Sequence, residues 1–262
     1  MEQIAWEHTV VAHNPATASE NKIHEDTVAR DYGFRGGLVP GVVVYAYMTH
    51  APLERWGRDW LERGTMAARF HVPVYEGQEV TVTLDDDGEL EAYTEDGLVA
   101  SGAASLPDAV ASPPDADGYP VAPLPEERPP ASVEALTVDA LGTLEYGFHA
   151  RQAGAYLDEV RETSPFYAKA GVAHPGWLIA MANYALSRNV RLGPWIHVET
   201  QATHFSAVAD GERVAVRGKV ADLFEKKGHK FVDLDLLWLA QDDRPVLHAR
   251  HTAIYEPRRG RG

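Results

Sequence analysis

Two apolar runs of helical length, Val42–Trp56 and Trp177–Asn189, are hydrophobic on nearly every face. That pattern predicts helices packed among other elements rather than lying on a surface. Around them come segments in which apolar and polar residues alternate, the two-residue period of a half-buried strand. In the first half these are Trp6–Val11, Met66–Val74, Glu79–Asp85 and Glu89–Leu106, the last broken by a hairpin turn near Asp96-Gly97. In the second half they are Leu144–Ala150, the weakest, then His197–Ala207, Arg213–Asp222, His229–Ala240 and Val246–Tyr255. Thr17–Phe34 is polar without a clean period and reads as a loop carrying short helical turns. Ala155–Lys169 is its polar counterpart.

The order of elements repeats, and so does the punctuation. Shifted by about 135 residues, Tyr32 falls on Tyr167, Gly36 on Gly171, Pro40 on Pro175, Gly41 on Gly176 and Phe70 on Phe205. Gly77 falls one residue off Gly211. The histidine His24 has no counterpart, since its position meets Glu159, and Asp26 meets Arg161. A duplicated module with one asymmetric histidine implies that one half carries chemistry and the other supports it. Between the copies, residues 107–130 hold eight prolines in 24 residues and read as an extended linker without a core of its own. The expected organisation is an N-terminal module over 1–106 carrying the site, the linker, and a non-catalytic C-terminal module over 131–262. One helix followed by antiparallel strands, twice, is an α+β arrangement with each helix on a curled sheet. A single such sheet would expose its edges, and two fused copies would pair them.

Composition narrows the functions. The net charge of −15 leaves no basic stripe for nucleic acid. It leaves room for an anionic small ligand, because a few local arginines can overcome the global field. The absence of cysteine removes disulfides, thiolate nucleophiles and Cys-type zinc sites. No apolar run reaches the ~20 residues needed to span a bilayer. The opening Met1–His8 lacks a basic segment followed by an apolar one, so a cytoplasmic protein without membrane association is expected. His248 and His251 stand three apart on a predicted strand, on opposite faces, and no bound metal is expected.

The stretch Ser19-Glu20-Asn21-Lys22-Ile23-His24-Glu25-Asp26, then Ala29, Gly33-Phe34 and Pro40-Gly41, resembles the signature of the MaoC-like hydratase/dehydratase family in its double-hotdog form. The later Arg69–Gly77 is similar to that family's phenylalanine-x-x-Pro-Val strand. The resemblance implies a double hotdog, two repeats of a long central helix on a curled antiparallel sheet. It implies an acyl-thioester substrate, with coenzyme A or an acyl-carrier arm as part of that substrate and no separate cofactor. Single-module relatives dimerise, so a homodimer and a fused pair standing alone are both open. Three positions depart from the family pattern. Ser19 stands where the family has its catalytic aspartate, Lys22 replaces a proline, and Pro40 replaces the histidine before the helix glycine.

The resemblance assigns His24 as base or water-orienter and the Gly41 amide as oxyanion donor. Both roles suit the residues. A histidine titrates near working pH. An amide at a helix N-terminus has no intrahelical partner, and the dipole there favours negative charge. Asp26 is a candidate to hydrogen-bond the imidazole, or only to cap the following turn. Glu20, one residue from the missing aspartate, is a candidate replacement carboxylate, with Ser19 then binding water or substrate. Asn21 and Pro40 belong to the expected substrate-binding set. Arg30 and Arg35 would meet phosphates or simply solvate the surface. Tyr45, Tyr47 and His50 are expected to pack, and His174 to be structural or pocket-lining. Three functions remain open: a hydro-lyase on 2-enoyl or 3-hydroxyacyl thioesters, a thioesterase using Glu20 or Asp26, and a non-catalytic acyl-binding subunit. A carboxylate within ~4 Å of His24 is what the paired acid–base chemistry of the first needs.

Overall fold

The computed structural model describes residues 4–259, so Met1–Gln3 of the N-terminal stretch read above lie outside the described residues. One ten-stranded antiparallel sheet runs through the molecule. Its strands are β1 (Ile4–Val11), β2 (Thr65–Phe70), β3 (Glu79–Asp85), β4 (Glu89–Thr94), β5 (Gly97–Ser105), β6 (Leu141–Gly147), β7 (Ile196–His204), β8 (Arg213–Lys226), β9 (His229–Leu239) and β10 (Pro245–Glu256). Their spatial order is β1-β3-β4-β5-β2-β7-β10-β9-β8-β6. The second five strands are the first five in mirror order, and the two sets meet at β2 and β7.

That junction has the self-complementary register of a two-fold interface. Met66 pairs with Ala202 and Ala67 with Gln201. Under the repeat offset Ala67 corresponds to Ala202 and Met66 to Gln201, so each pair maps onto the other, as in an isologous dimer. The halves also repeat smaller hydrogen bonds. Val39 N–H donates to Val74 O at 2.8 Å, and Ala173 N–H to Val208 O at 2.9 Å. Gly77 and Gly211 make the same turn at φ 79° and 84°, a left-handed conformation that suits glycine. The fold is a double hotdog.

The helices are α1 (Asp26–Asp31), α2 (Gly41–Met48), α3 (His50–Trp56), α4 (Arg58–Arg63), α5 (Val133–Leu136), α6 (Ala150–Glu159), α7 (Phe166–Ala170) and α8 (Pro175–Ser187). Val42 through Met48 are all buried, as an all-apolar helix requires. α2 and α8, one from each half, pack against each other, with the Gly176 backbone close against Ala46 of α2 and the Tyr156 hydroxyl.

The structure departs from the sequence expectation in four places. The predicted helix Val42–Trp56 is two helices, because Pro52 has no N–H for the Met48 carbonyl and α2 ends there. α4 follows, buried through Trp60 and Leu61. α6 forms within and before the polar Ala155–Lys169 segment as an amphipathic helix without fully buried residues. The 107–130 linker is extended but docked: Tyr119 is buried against Leu237 and Leu239, and its hydroxyl donates to Asp235 Oδ1 at 2.8 Å.

Candidate active site

Two large hollows lie along the seam between the halves. The larger, about 840 Å³, is lined by Phe34, Gly41, Val44, Phe70 and His197 and opens toward the β8–β9 hairpin. The smaller, about 720 Å³, is lined by Val43, Tyr156, Trp177, Met181 and Trp195. Asn21, His24, Pro40, Asn183 and Trp195 line both, so His24 stands in the wall they share.

His24 ends a short 3-10 turn, Lys22–His24, that Asn21 caps by accepting from the Ile23 N–H. Its Nδ1 lies 2.7 Å from the Leu38 carbonyl, which accepts only, so Nδ1 carries the proton. Nε2 is then the bare nitrogen, and it accepts from Asn21 Nδ2 at 3.2 Å. Asn21 is fixed from the other half. Its Nδ2 donates to Trp195 O at 2.9 Å and its Oδ1 accepts from Trp195 N–H at 3.2 Å. Burial pushes the His24 pKa below the usual histidine value, only partly countered by the Leu38 carbonyl. An imidazolium would also set a second N–H against the Asn21 amide, donor against donor. His24 is therefore neutral at rest, and the Nε2 lone pair that would accept a proton is the one the Asn21 amide donates to.

The carboxylates do not gather around it. Among the described residues no Asp or Glu oxygen lies within 4.0 Å of a His24 ring nitrogen. Glu20 is turned to Arg128, at 2.7 and 3.0 Å, and that side-chain hydrogen bond lowers its pKa. Asp26 accepts from the Gly37 N–H at 2.8 Å and pairs with Arg30, so it shapes the loop, and the Leu38 carbonyl fixes the His24 tautomer in its place. Ser19 donates to Asn21 O at 3.1 Å. The acid–base pair expected from the resemblance is not assembled. Arg35 is also drawn away. It pairs with Asp96 at 2.8 Å, stacks 4.2 Å over Tyr75 and lines neither hollow.

Pro40 precedes α2, and its carbonyl accepts from Val43 and Val44 N–H. Gly41 opens the helix, and among the described residues its amide donates to no protein acceptor. It borders the larger hollow, and a β-carbon on it would fall 2.8 Å from His197 Nδ1. Glycine is required here by that close packing. The cations at the mouth come from elsewhere than Arg35: Lys226, Lys227, Arg258 and Arg259 line the larger hollow beside Phe224 and Phe231, which stack at 4.7 Å. Lys227 takes a positive φ of 53° before Gly228 in the tight hairpin turn.

The second half has no histidine in the place of His24. His174, which caps α8 by accepting from Gly176 N–H at 2.9 Å, belongs to a buried network below the hollows. Glu162, 2% exposed, accepts from His50 at 2.8 Å and from Ser164 N–H at 2.6 Å, with His174 Nε2 at 3.5 Å. Burial would raise its carboxyl, but hydrogen bonds from His174, His50 and Ser164 outweigh that and hold it well below the usual range. Burial lowers the His174 pKa against the attraction of Glu162. His50 thus does more than pack.

Asn183 is the site residue the sequence reading misses. Its signal is a lone amide in the middle of the apolar run Trp177–Leu186.

No family model matches the chain, and no curated protein matches it. Solved structures do. A Mycobacterium tuberculosis protein described as a double hotdog, essential for survival during infection, is 15% identical over 97% of this chain and 96% of its own, with a TM-score of 0.65. A Chloroflexus aurantiacus protein provisionally described as a MaoC domain dehydratase is 12% identical over 98% and 96%, with a TM-score of 0.60. A Novosphingobium aromaticivorans protein provisionally described as a thioesterase is 11% identical over 95% and 95%, with a TM-score of 0.57. The likeness extends over both halves and the linker, and it is a likeness of fold.

Proposed function

We propose that this double hotdog acts on acyl thioesters as a MaoC-like hydro-lyase, interconverting 2-enoyl and 3-hydroxyacyl groups with His24 as its one base. The observation that carries this reading is a neutral imidazole, Nδ1–H held by Leu38 O, in the wall shared by two hollows. The Gly41 amide faces one of them. Dehydration breaks a C2–H bond and the C3–O bond and releases water. One base serves both ends when it takes the C2 proton and hands it to the departing hydroxyl on the same face. Hydration is the reverse. His24 Nε2 suits that exchange once the Asn21 amide gives up its hydrogen bond to it, and the same amide then disfavours a lasting imidazolium. The Gly41 N–H would stabilise the thioester oxygen as enolate charge develops, as unpaired N-terminal amides do.

The two hollows divide the substrate. The aromatic smaller one suits the acyl group. The larger one, with Lys226, Lys227 and Arg258 at its mouth, suits a phosphorylated pantetheine arm. A thioesterase that used Glu20 or Asp26 to activate water is disfavoured, because both carboxylates are committed elsewhere.

The test is to incubate the protein with crotonyl-coenzyme A and butyryl-coenzyme A while following enoyl absorbance and free thiol together. Loss of enoyl absorbance without thiol, abolished by His24→Gln at unchanged melting temperature, is the expected result. Thiol release would replace the proposal with a thioesterase. Silence in both channels with measurable binding would leave an acyl-binding protein.

A further inference from the structure

Asn183 lines both hollows with His24, and its amide is oriented by a chain of buried groups in the second half. Asn183 Oδ1 lies 3.1 Å from His251 Nε2, so that nitrogen carries the proton and donates. A neutral ring then has a bare Nδ1, and burial keeps His251 neutral, pushing its pKa down to about 3. Thr200 Oγ1, 2.8 Å away, donates to that Nδ1. The hydroxyl oxygen accepts in turn from His197 Nε2, also at 2.8 Å. His197 Nδ1 is left bare and buried, without a partner among the described residues, and packs on Gly41. Every link has one direction, and the chain starts at one edge of the site and ends at the other. The Asn183 carbonyl oxygen is consumed by His251, so the amide cannot turn. Its Nδ2 finds no acceptor among the described residues and faces the hollows.

We infer that Asn183 is a substrate-positioning residue contributed by the second half. Its fixed Nδ2–H donates to the C3 oxygen of the substrate, the hydroxyl that leaves or the water that adds, while His24 exchanges the proton. This rests on the hydro-lyase reading for the identity of that oxygen. Thr200 and His251 act through Asn183 and are positioning residues once removed. The assignment revises the expectation that the C-terminal module is catalytically idle.

The experiment compares the dissociation constants of 3-hydroxybutyryl- and butyryl-coenzyme A by calorimetry, with crotonyl-coenzyme A hydration in parallel. The wild type should prefer the hydroxylated ligand about fivefold, the equivalent of one hydrogen bond. Asn183→Ala, and the near-isosteric Asn183→Asp, which keeps an acceptor for His251 but lacks the donor, should erase that preference. Butyryl-coenzyme A affinity and melting temperature should stay within twofold and about 2 °C, and crotonyl turnover should fall at least tenfold in kcat. Thr200→Val should weaken the preference and Thr200→Ser restore it. Equal preference in wild type and Asn183→Ala, or no binding of either probe, overturns the assignment. Hydroxyl preference lost in Asn183→Ala without any crotonyl turnover in the wild type keeps the positioning role and removes the hydro-lyase. Turnover that Asn183→Ala matches does the reverse.

Discussion

Glu162→Gln tests the buried network where the two halves meet. The carboxylate is 2% exposed and accepts from His50 and the Ser164 amide at 2.8 and 2.6 Å, with His174 3.5 Å away. Glutamine keeps the shape and removes the charge, and its NH2 replaces one acceptor with a donor facing histidine N–H groups. Leaving buried donors without their acceptor costs about 1–3 kcal/mol, the figure for neutral groups, since burial keeps His174 uncharged at this pH. At about 2 °C per kcal/mol for a chain of this size, the melting temperature should fall by roughly 2–6 °C at pH 7.5. The pH dependence follows from the sign of the shift. The folded carboxyl is held below its unfolded value of about 4.5, so its stabilisation is full above that pH and fades as pH falls below it. Urea titrations at pH 7.5 and 4.0 should therefore show the gap between wild type and Glu162→Gln only beginning to narrow at the acid end. A double variant with His50→Gln should recover part of the loss. A Glu162→Gln melting temperature within about 1 °C of wild type at pH 7.5 would refute the argument that the network carries net stability.

Asn21→Asp places a carboxylate beside the His24 ring, which raises a histidine pKa by about 1–3 units. Wild-type kcat/KM should hold at pH 6.5 and fall only below it, and the variant's acid limb should move to higher pH. Coincident limbs would remove Asn21 from control of the base. Gly41→Ala drives a methyl to 2.8 Å from the buried His197. Overpacking of this kind costs about 1–3 kcal/mol. Displacing the amide should also lower crotonyl turnover by about 100-fold or more, read against the circular-dichroism melt. Glu20→Gln should change turnover less than twofold and stability by under about 1 kcal/mol, since the Arg128 pair is exposed. A tenfold loss of turnover would return Glu20 to the acid–base role.

The fold was legible because its signals are periodic and doubled. The Pro40-Gly41 and Pro175-Gly176 pairs mark the same helix entry, and Gly77 and Gly211 the same positive-φ turn. Pairing of the two edges followed from the repeat, and β2–β7 realises it. What was not legible depended on contacts beyond the local motif. Asn21 reads as part of a local motif, yet its amide is set by Trp195, 174 residues away. Glu20 and Asp26 are adjacent to His24 in sequence, but Arg128 and the Gly37 amide claim them in space. Thr200, His197 and His251 look like unremarkable strand residues, because only the ladder between β7 and β10 brings them together. α6 was hidden because its apolar stripe, Ala150, Ala153, Tyr156 and Leu157, begins before the polar Ala155–Lys169 segment, and Ala150 reads as the end of a strand.

The β2–β7 seam has a consequence for how the protein responds to dilution. Two separate modules joined by this register would part as their concentration fell below the dissociation constant. Joined through the 107–130 strap, each half meets the other at an effective concentration in the millimolar range that no dilution changes. Asn21 and Trp195, or His24 and Asn183, therefore stay assembled in a single molecule at nanomolar protein. Because the halves are encoded separately, a change that favours His24 in one need not be suffered by the other. The second half is then free to carry Glu159 where the first carries His24.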